Sequence, residues 1–123
     1  MKMKFFELAK KLSKKSEYYQ KLGAVIVKKG DVIGVGFNKP KKTHPRSNTL
    51  FRTIHAELDA ILNAGEELVQ GCDIYIYREH RSGVPAISKP CKFCEKLLKE
   101  YGIKNIYFTN NGSYSNIQTE GKL

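Results

Sequence analysis

Acidic residues are scarce in this chain: 12 Asp and Glu stand against 22 Lys and Arg, a formal charge of +10. Such a balance predicts attraction to polyanions or anionic small molecules. Lysine-rich helix faces and loops also arise simply as solvated surface, so charge alone does not separate a nucleotide enzyme from a nucleic-acid binder. Long apolar runs are missing. No stretch approaches the ~20 residues that span a bilayer, and the start of the chain returns to lysines after Phe5 and Phe6 without the apolar core of a signal peptide. These absences lead to the expectation of a soluble cytoplasmic protein with no membrane partner. There is no internal repeat and no linker, and 123 residues suit one domain, so residues 1–123 are expected to fold as a single unit. Cysteine is limited to Cys72, Cys91 and Cys94. An odd count without a secretion signal argues against a disulfide framework. Cys91 and Cys94 form a Cys-x-x-Cys pair, which leaves metal binding or redox chemistry. The second pair of a zinc ribbon is absent, and the pair does not follow an early strand as in a thioredoxin-like context. Cys72 opens a strand and reads as a small buried apolar residue.

The elements follow from periodicity. Phe5, Leu8, Ala9 and Leu12 recur at helical steps and predict an amphipathic helix over 2–20. Gly23 to Lys29 is short and β-branched, Gly30-Asp31 is a turn pair, and Val32 to Phe37 reads as the returning strand of a hairpin. Gly34 and Gly36 weaken that strand and imply close approach by another element. A lysine-rich loop covers 38–48. Ile54, Leu58, Ile61 and Leu62 mark a helix over 54–64 that ends at Gly65. Cys72 to Tyr77 is a third strand, 78–90 a polar loop, and Cys91 to Tyr101 a helix with Phe93, Leu97 and Leu98 on its apolar stripe. Lys104 to Thr109 is a fourth strand, and Asn111-Gly112 introduces a fifth near Tyr114 to Thr119. Strands separated by helices favour a mixed sheet covered on both faces.

Two segments carry chemistry. Thr53-Ile54-His55-Ala56-Glu57 and Pro90-Cys91-Lys92-Phe93-Cys94 both open helices. Cysteines three apart face one side of a first helical turn, where the positive end of the helix dipole favours thiolates. Zinc takes nitrogen and thiolate ligands in a tetrahedron, and a catalytic site keeps one position for water. His55 supplies a third ligand, and no fourth is evident. Glu57, two residues on, is placed to move protons beside an activated water without binding the ion. His44 and His80 read as loop surface, and Tyr107 and Phe108 as core. Tyr114 is left open between core packing and stacking on a base.

The order His55-Ala56-Glu57, then Pro90-Cys91-x-x-Cys94, resembles the signature of the cytidine-deaminase superfamily of zinc-dependent nucleobase deaminases. The likeness extends through Gly23-Ala-Val-Ile-Val, Gly34-Val-Gly-Phe-Asn38, Arg52-Thr-Ile-His-Ala-Glu57 and Gly102-Ile-Lys-Asn-Ile-Tyr-Phe108, segments similar to deoxycytidylate deaminases. It implies an α/β fold, a three-layer α/β/α domain with a mixed five-stranded sheet. It implies Zn2+ held by His55, Cys91 and Cys94, with Glu57 as the catalytic proton shuttle. It implies Asn38 at the sugar, and the Ala56 carbonyl or the backbone near Ser88 to Pro90 at the base. Lys39, Lys41, Lys42, Arg46 and Arg52 are candidates for a 5′-phosphate. The implied activity is hydrolytic deamination of cytosine in a nucleotide or nucleoside, dCMP first, in a homo-oligomer. Two alternatives are a deaminase acting on cytosine in single-stranded DNA or RNA and a non-catalytic zinc-stabilised binding module. The tail departs from the deoxycytidylate pattern: a closing antiparallel hairpin, as in free-cytidine deaminases, replaces a further helix and parallel strand. Free-cytidine deaminases, in turn, usually carry cysteine where this chain has His55.

Overall fold

In a computed structural model of the chain, residues 2–16, 21–40 and 53–118 are described. They form α1 (Met3–Ser13), β1 (Gly23–Lys28), β2 (Asp31–Phe37), β3 (Lys39–Pro40), β4 (Thr53–Ile54), α2 (Ala56–Ala64), a short 3-10 turn (Glu66–Leu68), β5 (Asp73–Tyr77), α3 (Lys92–Glu100), β6 (Asn105–Asn110) and β7 (Ser113–Gln118). Five strands make one mixed sheet in the order β2-β1-β5-β6-β7. Among the described strands, β5 and β6 alone pair in parallel. They are joined through α3, the kind of crossover that parallel neighbours require. The hairpin pairs β1–β2 and β6–β7 are antiparallel, as is β1–β5.

Alternation along the strands divides the core in two. Ala24, Ile26, Ile74, Ile76, Ile106 and Phe108 face α2 and α3, where they meet Ala60, Ile61 and Leu98. Val25, Val27, Tyr75 and Tyr77 face the other way and are covered by Phe5, Phe6, Ala9 and Leu12 of α1. The result is the expected three-layer arrangement. Tyr107 stacks on Tyr75 with ring centres 4.5 Å apart, and Tyr114 packs at 4.5 Å on Phe6. The question left open for Tyr114 is thereby answered: it belongs to the α1 side of the core.

The element that Gly34 and Gly36 admit is α2. A β-carbon on Gly36 would lie 2.4 Å from the Ala60 nitrogen and 2.8 Å from the Ala56 oxygen, and one on Gly34 would lie 2.4 Å from Ala64 Cβ. The glycines thus let α2 rest on the strand itself, which sets the height of its first turn above the sheet.

Several boundaries differ from the periodic reading. Helix α1 ends at Ser13, before the end expected at residue 20; residues 17–20 of that expectation lie outside the described residues. The Ser13 hydroxyl turns back to donate to the Lys10 carbonyl at 2.7 Å, a local bond that competes with helix propagation. The first hairpin turns at Lys29-Gly30, not at Gly30-Asp31, since Asp31 already pairs with Lys28. Both turn residues have positive φ, 50° and 86°, as a two-residue type I′ turn demands. Helix α2 starts at Ala56 instead of Ile54, because Thr53 and Ile54 pair with Pro40 and Lys39 in a small second sheet. Helix α3 starts at Lys92, leaving Cys91 as its N-cap. The closing hairpin is antiparallel as expected. Among the described residues, no helix is long and apolar enough to cross a membrane.

Candidate metal centre

Phe37 and Tyr77 both pair with Gly23, so β2 and β5 end at one edge of the sheet, and β6, parallel to β5, ends there too. Helices α2 and α3 begin above this edge. His55 caps α2 in extended backbone (φ −70°, ψ 153°), and Cys91 caps α3 in the same way (φ −66°, ψ 167°). The cap positions therefore bring the two helix starts, with first-turn N–H groups that have no partner within the helix, to one place.

There His55, Cys91 and Cys94 offer nitrogen and sulfur atoms that all lie within 4.8 Å of one another, the one such group among the described residues. His55 Nδ1 is 2.9 Å from Cys94 Sγ, and Cys91 Sγ accepts from the Cys94 N–H at 3.5 Å. The group grades from a buried Cys94 through a half-buried His55 to an exposed Cys91. One side is closed by protein and the other is open to solvent. Glu57 is not part of the cluster, although it is buried on the next residues of α2.

The electrostatics call for a cation. Burial pushes the Cys94 thiol far up, and the neighbouring Glu57 carboxylate and Cys91 add to the effect. Burial also raises Glu57, against its own backbone N–H and His55, which lower it. The buried Cys94 thiol and the buried Glu57 carboxyl can be ionised together only beside a strong positive charge. A set of one imidazole and two thiolates fits Zn2+ with a position to spare.

Other residues singled out from the sequence fall around this centre or away from it. Cys72 is buried and gives its thiol to the Leu68 carbonyl at 3.5 Å. His80 is exposed on the loop after β5. His44, Lys41, Lys42, Arg46 and Arg52 lie outside the described residues. Lys39 is described only through its backbone, in β3. Asn38 follows β2, and its Oδ1 accepts from the Leu22 N–H at 2.9 Å, so its position is fixed by the segment entering β1. Ala56 is buried at the first turn of α2. Its carbonyl runs into the helix beside Gly36, and its N–H is the backbone group directed toward the helix start.

Two features escaped the sequence reading. Asp59 is buried, and its Oδ2 accepts from the Phe37 N–H at 3.1 Å, tying α2 to the end of β2 next to Asn38. Its position between Leu58 and Ala60 on the apolar side of α2 was the available signal. The second is a buried hydroxyl pair, Ser88 and Thr109, on the approach to Cys91. Nothing in the local sequence marks their meeting.

The pattern described as the cytidine and deoxycytidylate deaminase zinc-binding region matches residues 1–110. An uncharacterized deaminase from Aliivibrio fischeri, encoded in the luxG 3′ region, is 30% identical over 112 residues, covering 85% of this chain and 69% of its own length. The deoxycytidylate deaminase of Mus musculus is 26% identical over 112 residues, covering 80% of this chain. This chain spans little more than half of the mouse protein, 57%. The crystal structure of cytidine deaminase from Burkholderia pseudomallei superposes with a TM-score of 0.71 at 21% identity, over 96% of this chain and 92% of that one; it shares the fold.

Proposed function

Starting from the fact that this chain belongs to the cytidine and deoxycytidylate deaminase family, we propose that it is a zinc-dependent hydrolase that converts cytosine to uracil in a free nucleotide or nucleoside, with dCMP preferred. The observation that carries this reading is the meeting of His55, Cys91 and Cys94 at two helix starts with the buried carboxyl of Glu57 beside them. The preference for a phosphorylated substrate is supported by the charge of +10 and by the similarity to a deoxycytidylate deaminase. The reading treats residues 1–123 as one deaminase domain that assembles as a homo-oligomer.

His55, Cys91 and Cys94 hold the ion. When bound, zinc supplies the Lewis acidity that brings the pKa of a water to about 7. Glu57 would accept a proton from the attacking water and pass it to the ring nitrogen, then accept the second proton from the newly attached hydroxyl and pass it to the departing amine. The balance is one water consumed, one carbon–oxygen bond formed, one carbon–nitrogen bond broken and one ammonia released. Burial keeps the Glu57 carboxyl from being an indifferent surface acid, which suits a group that must both take and give a proton. Asn38, held by Leu22, contacts the sugar, and the Ala56 backbone contacts the base.

Ammonia release by the zinc-loaded protein tests the reading, with dCMP, CMP, deoxycytidine, cytidine, adenosine, guanine and a cytosine-containing single-stranded oligonucleotide as substrates. The expected result is release from free cytosine nucleotides, fastest with dCMP, and none from Glu57→Ala with zinc still bound. Release from the oligonucleotide alone would replace the free nucleotide with a nucleic-acid substrate. Unchanged turnover in Glu57→Ala would refute the mechanism.

A further inference from the structure

We propose that Ser88 and Thr109 are positioning residues for the metal centre, fixing where Cys91 presents its sulfur. The inference rests on His55, Cys91 and Cys94 being the zinc ligands. Strands β5 and β6 pair regularly up to Ile76 and Phe108. Beyond that point Ser88 occupies the space between them. Its Oγ donates to the Ile76 carbonyl at 2.9 Å and accepts from the Thr109 N–H at 2.7 Å. A side chain thereby bridges the two parallel strands. The Ser88 N–H donates to the Thr109 carbonyl at 2.8 Å.

Thr109 holds both legs of the excursion that separates β5 from α3. On the outgoing leg, its Oγ1 accepts from the Arg78 N–H at 3.2 Å. On the returning leg, Oγ1 donates to the Ala86 carbonyl at 2.5 Å. Thr109 and Ala86 are fully buried, and Ser88 is 3% exposed. Residues 80–84 at the tip of the excursion are exposed. The hydroxyl pair thus separates a solvated tip from the segment that enters the metal centre.

Cys91 is the ligand that most needs such support. Cys94 is carried inside α3, whose Leu97 and Leu98 are buried. Cys91 is exposed, precedes the first helical residue, and is joined to Ser88 only through Lys89 and Pro90. Pro90 is buried, and its ring fixes φ, so this link transmits the position of Ser88 to Cys91 with little slack. Packing alone would be served by valine at residue 109. The legs meet directly where the Ala86 N–H donates to the Arg78 carbonyl at 2.8 Å, and the hydroxyl supplies the partner for the Arg78 N–H and the Ala86 carbonyl beside that bond.

Zinc affinity by chelator competition, and the thiolate-to-metal band of the cobalt-substituted protein, test the inference. Thr109→Val leaves the Arg78 N–H and the Ala86 carbonyl without their partner. Loss of such supporting contacts weakens metal binding by about 10–100-fold, and the cobalt band should shift with it. Ser88→Ala should act in the same direction, while Thr109→Ser, which keeps the hydroxyl, should restore affinity and spectrum. Asn105→Ala is the control: it removes a 2.9 Å bond to Asp73 at the other end of the same strands and should leave zinc affinity unchanged. Wild-type affinity and an unaltered band in both Thr109→Val and Ser88→Ala would overturn the inference, as would equal weakening in Asn105→Ala. If the wild-type protein bound no zinc, the metal-centre reading would fall and this inference with it. An active zinc-loaded wild type with unaffected variants would sink the inference alone.

Discussion

Replacing Gly36 with alanine would place a methyl group against the first turn of α2, the turn that carries Glu57 and follows His55. The new carbon would stand 2.4 Å from the Ala60 nitrogen and 2.8 Å from the Ala56 oxygen, where ordinary contact begins at 3.4 Å. Both atoms are backbone, so no side chain can swing aside. Relief requires the helix start to retreat by about 1 Å. Metal sites hold their ligand distances to within about 0.2 Å, so a shift of that size at His55 exceeds what the centre can absorb. The expected outcome is a loss of zinc affinity of ~10-fold or more, with turnover falling alongside it. Overpacking of this kind costs about 2–3 kcal/mol of stability. Gly34→Ala is the informative partner. It presses on Ala64 Cβ at 2.4 Å and the Ala60 oxygen at 2.6 Å, toward the far end of the same helix. It should cost comparable stability and far less zinc affinity. Denaturant melts and chelator competition on both variants separate the two quantities. A Gly36→Ala protein with wild-type zinc affinity, or a Gly34→Ala protein that loses more, would refute the claim that the β2 glycines set the height of the metal centre.

Glu57→Gln should keep zinc at one ion per chain while lowering kcat by ~10²–10⁴-fold, the scale of general acid–base catalysis; metal analysis beside steady-state kinetics checks both halves. Stripping zinc should lower the melting temperature, because binding at 100-fold above Kd stabilises the folded form by about 2.7 kcal/mol; a calorimetric trace unchanged by chelator would contradict it. Lys29→Asn should raise stability by ~1 kcal/mol in a urea melt, since Lys29 holds φ at 50° and asparagine tolerates that region with less strain. Glu79 accepts from the Tyr77 hydroxyl at 2.5 Å and from Lys14 at 3.3 Å. Burial alone would raise its carboxyl, but these partners and Lys10 hold it below the ordinary value of 4.5. A carboxyl lowered in the folded state contributes stability that is complete above its unfolded pKa and is lost as pH falls through the folded one. The stability gap between wild type and Glu79→Gln should therefore be widest near neutrality and close progressively below about pH 4.5; a gap that stays constant across a series of urea melts would show that the charge is irrelevant.

Local chemistry was enough to read the order of the elements. The short β-branched run at Gly23–Lys28, the helical spacing of Phe5, Ala9 and Leu12, and the Asn111-Gly112 turn act over a few residues, and each is visible without the rest of the fold. The candidate ligand types were legible for the same reason: a Cys-x-x-Cys at one helix start and a His-x-Glu at another are short-range patterns, and their combination points to metal chemistry. Ends of elements were less so, because they are decided by competitors such as the Ser13 hydroxyl and the pairing of Thr53 and Ile54 with Pro40 and Lys39. What only the tertiary structure decided was non-local. The placement of α1 on one face and of α2 and α3 on the other depends on how the whole sheet buries both of its sides. The convergence of His55 with Cys91 and Cys94 depends on β2, β5 and β6 ending at a common edge. The glycines of β2 announced a close neighbour, but its identity as α2 required the packed helix. The meeting of Ser88 with Thr109 had no precursor in the chain at all, since hydroxyls twenty-one residues apart become partners only where two parallel strands part and a buried donor must find an acceptor.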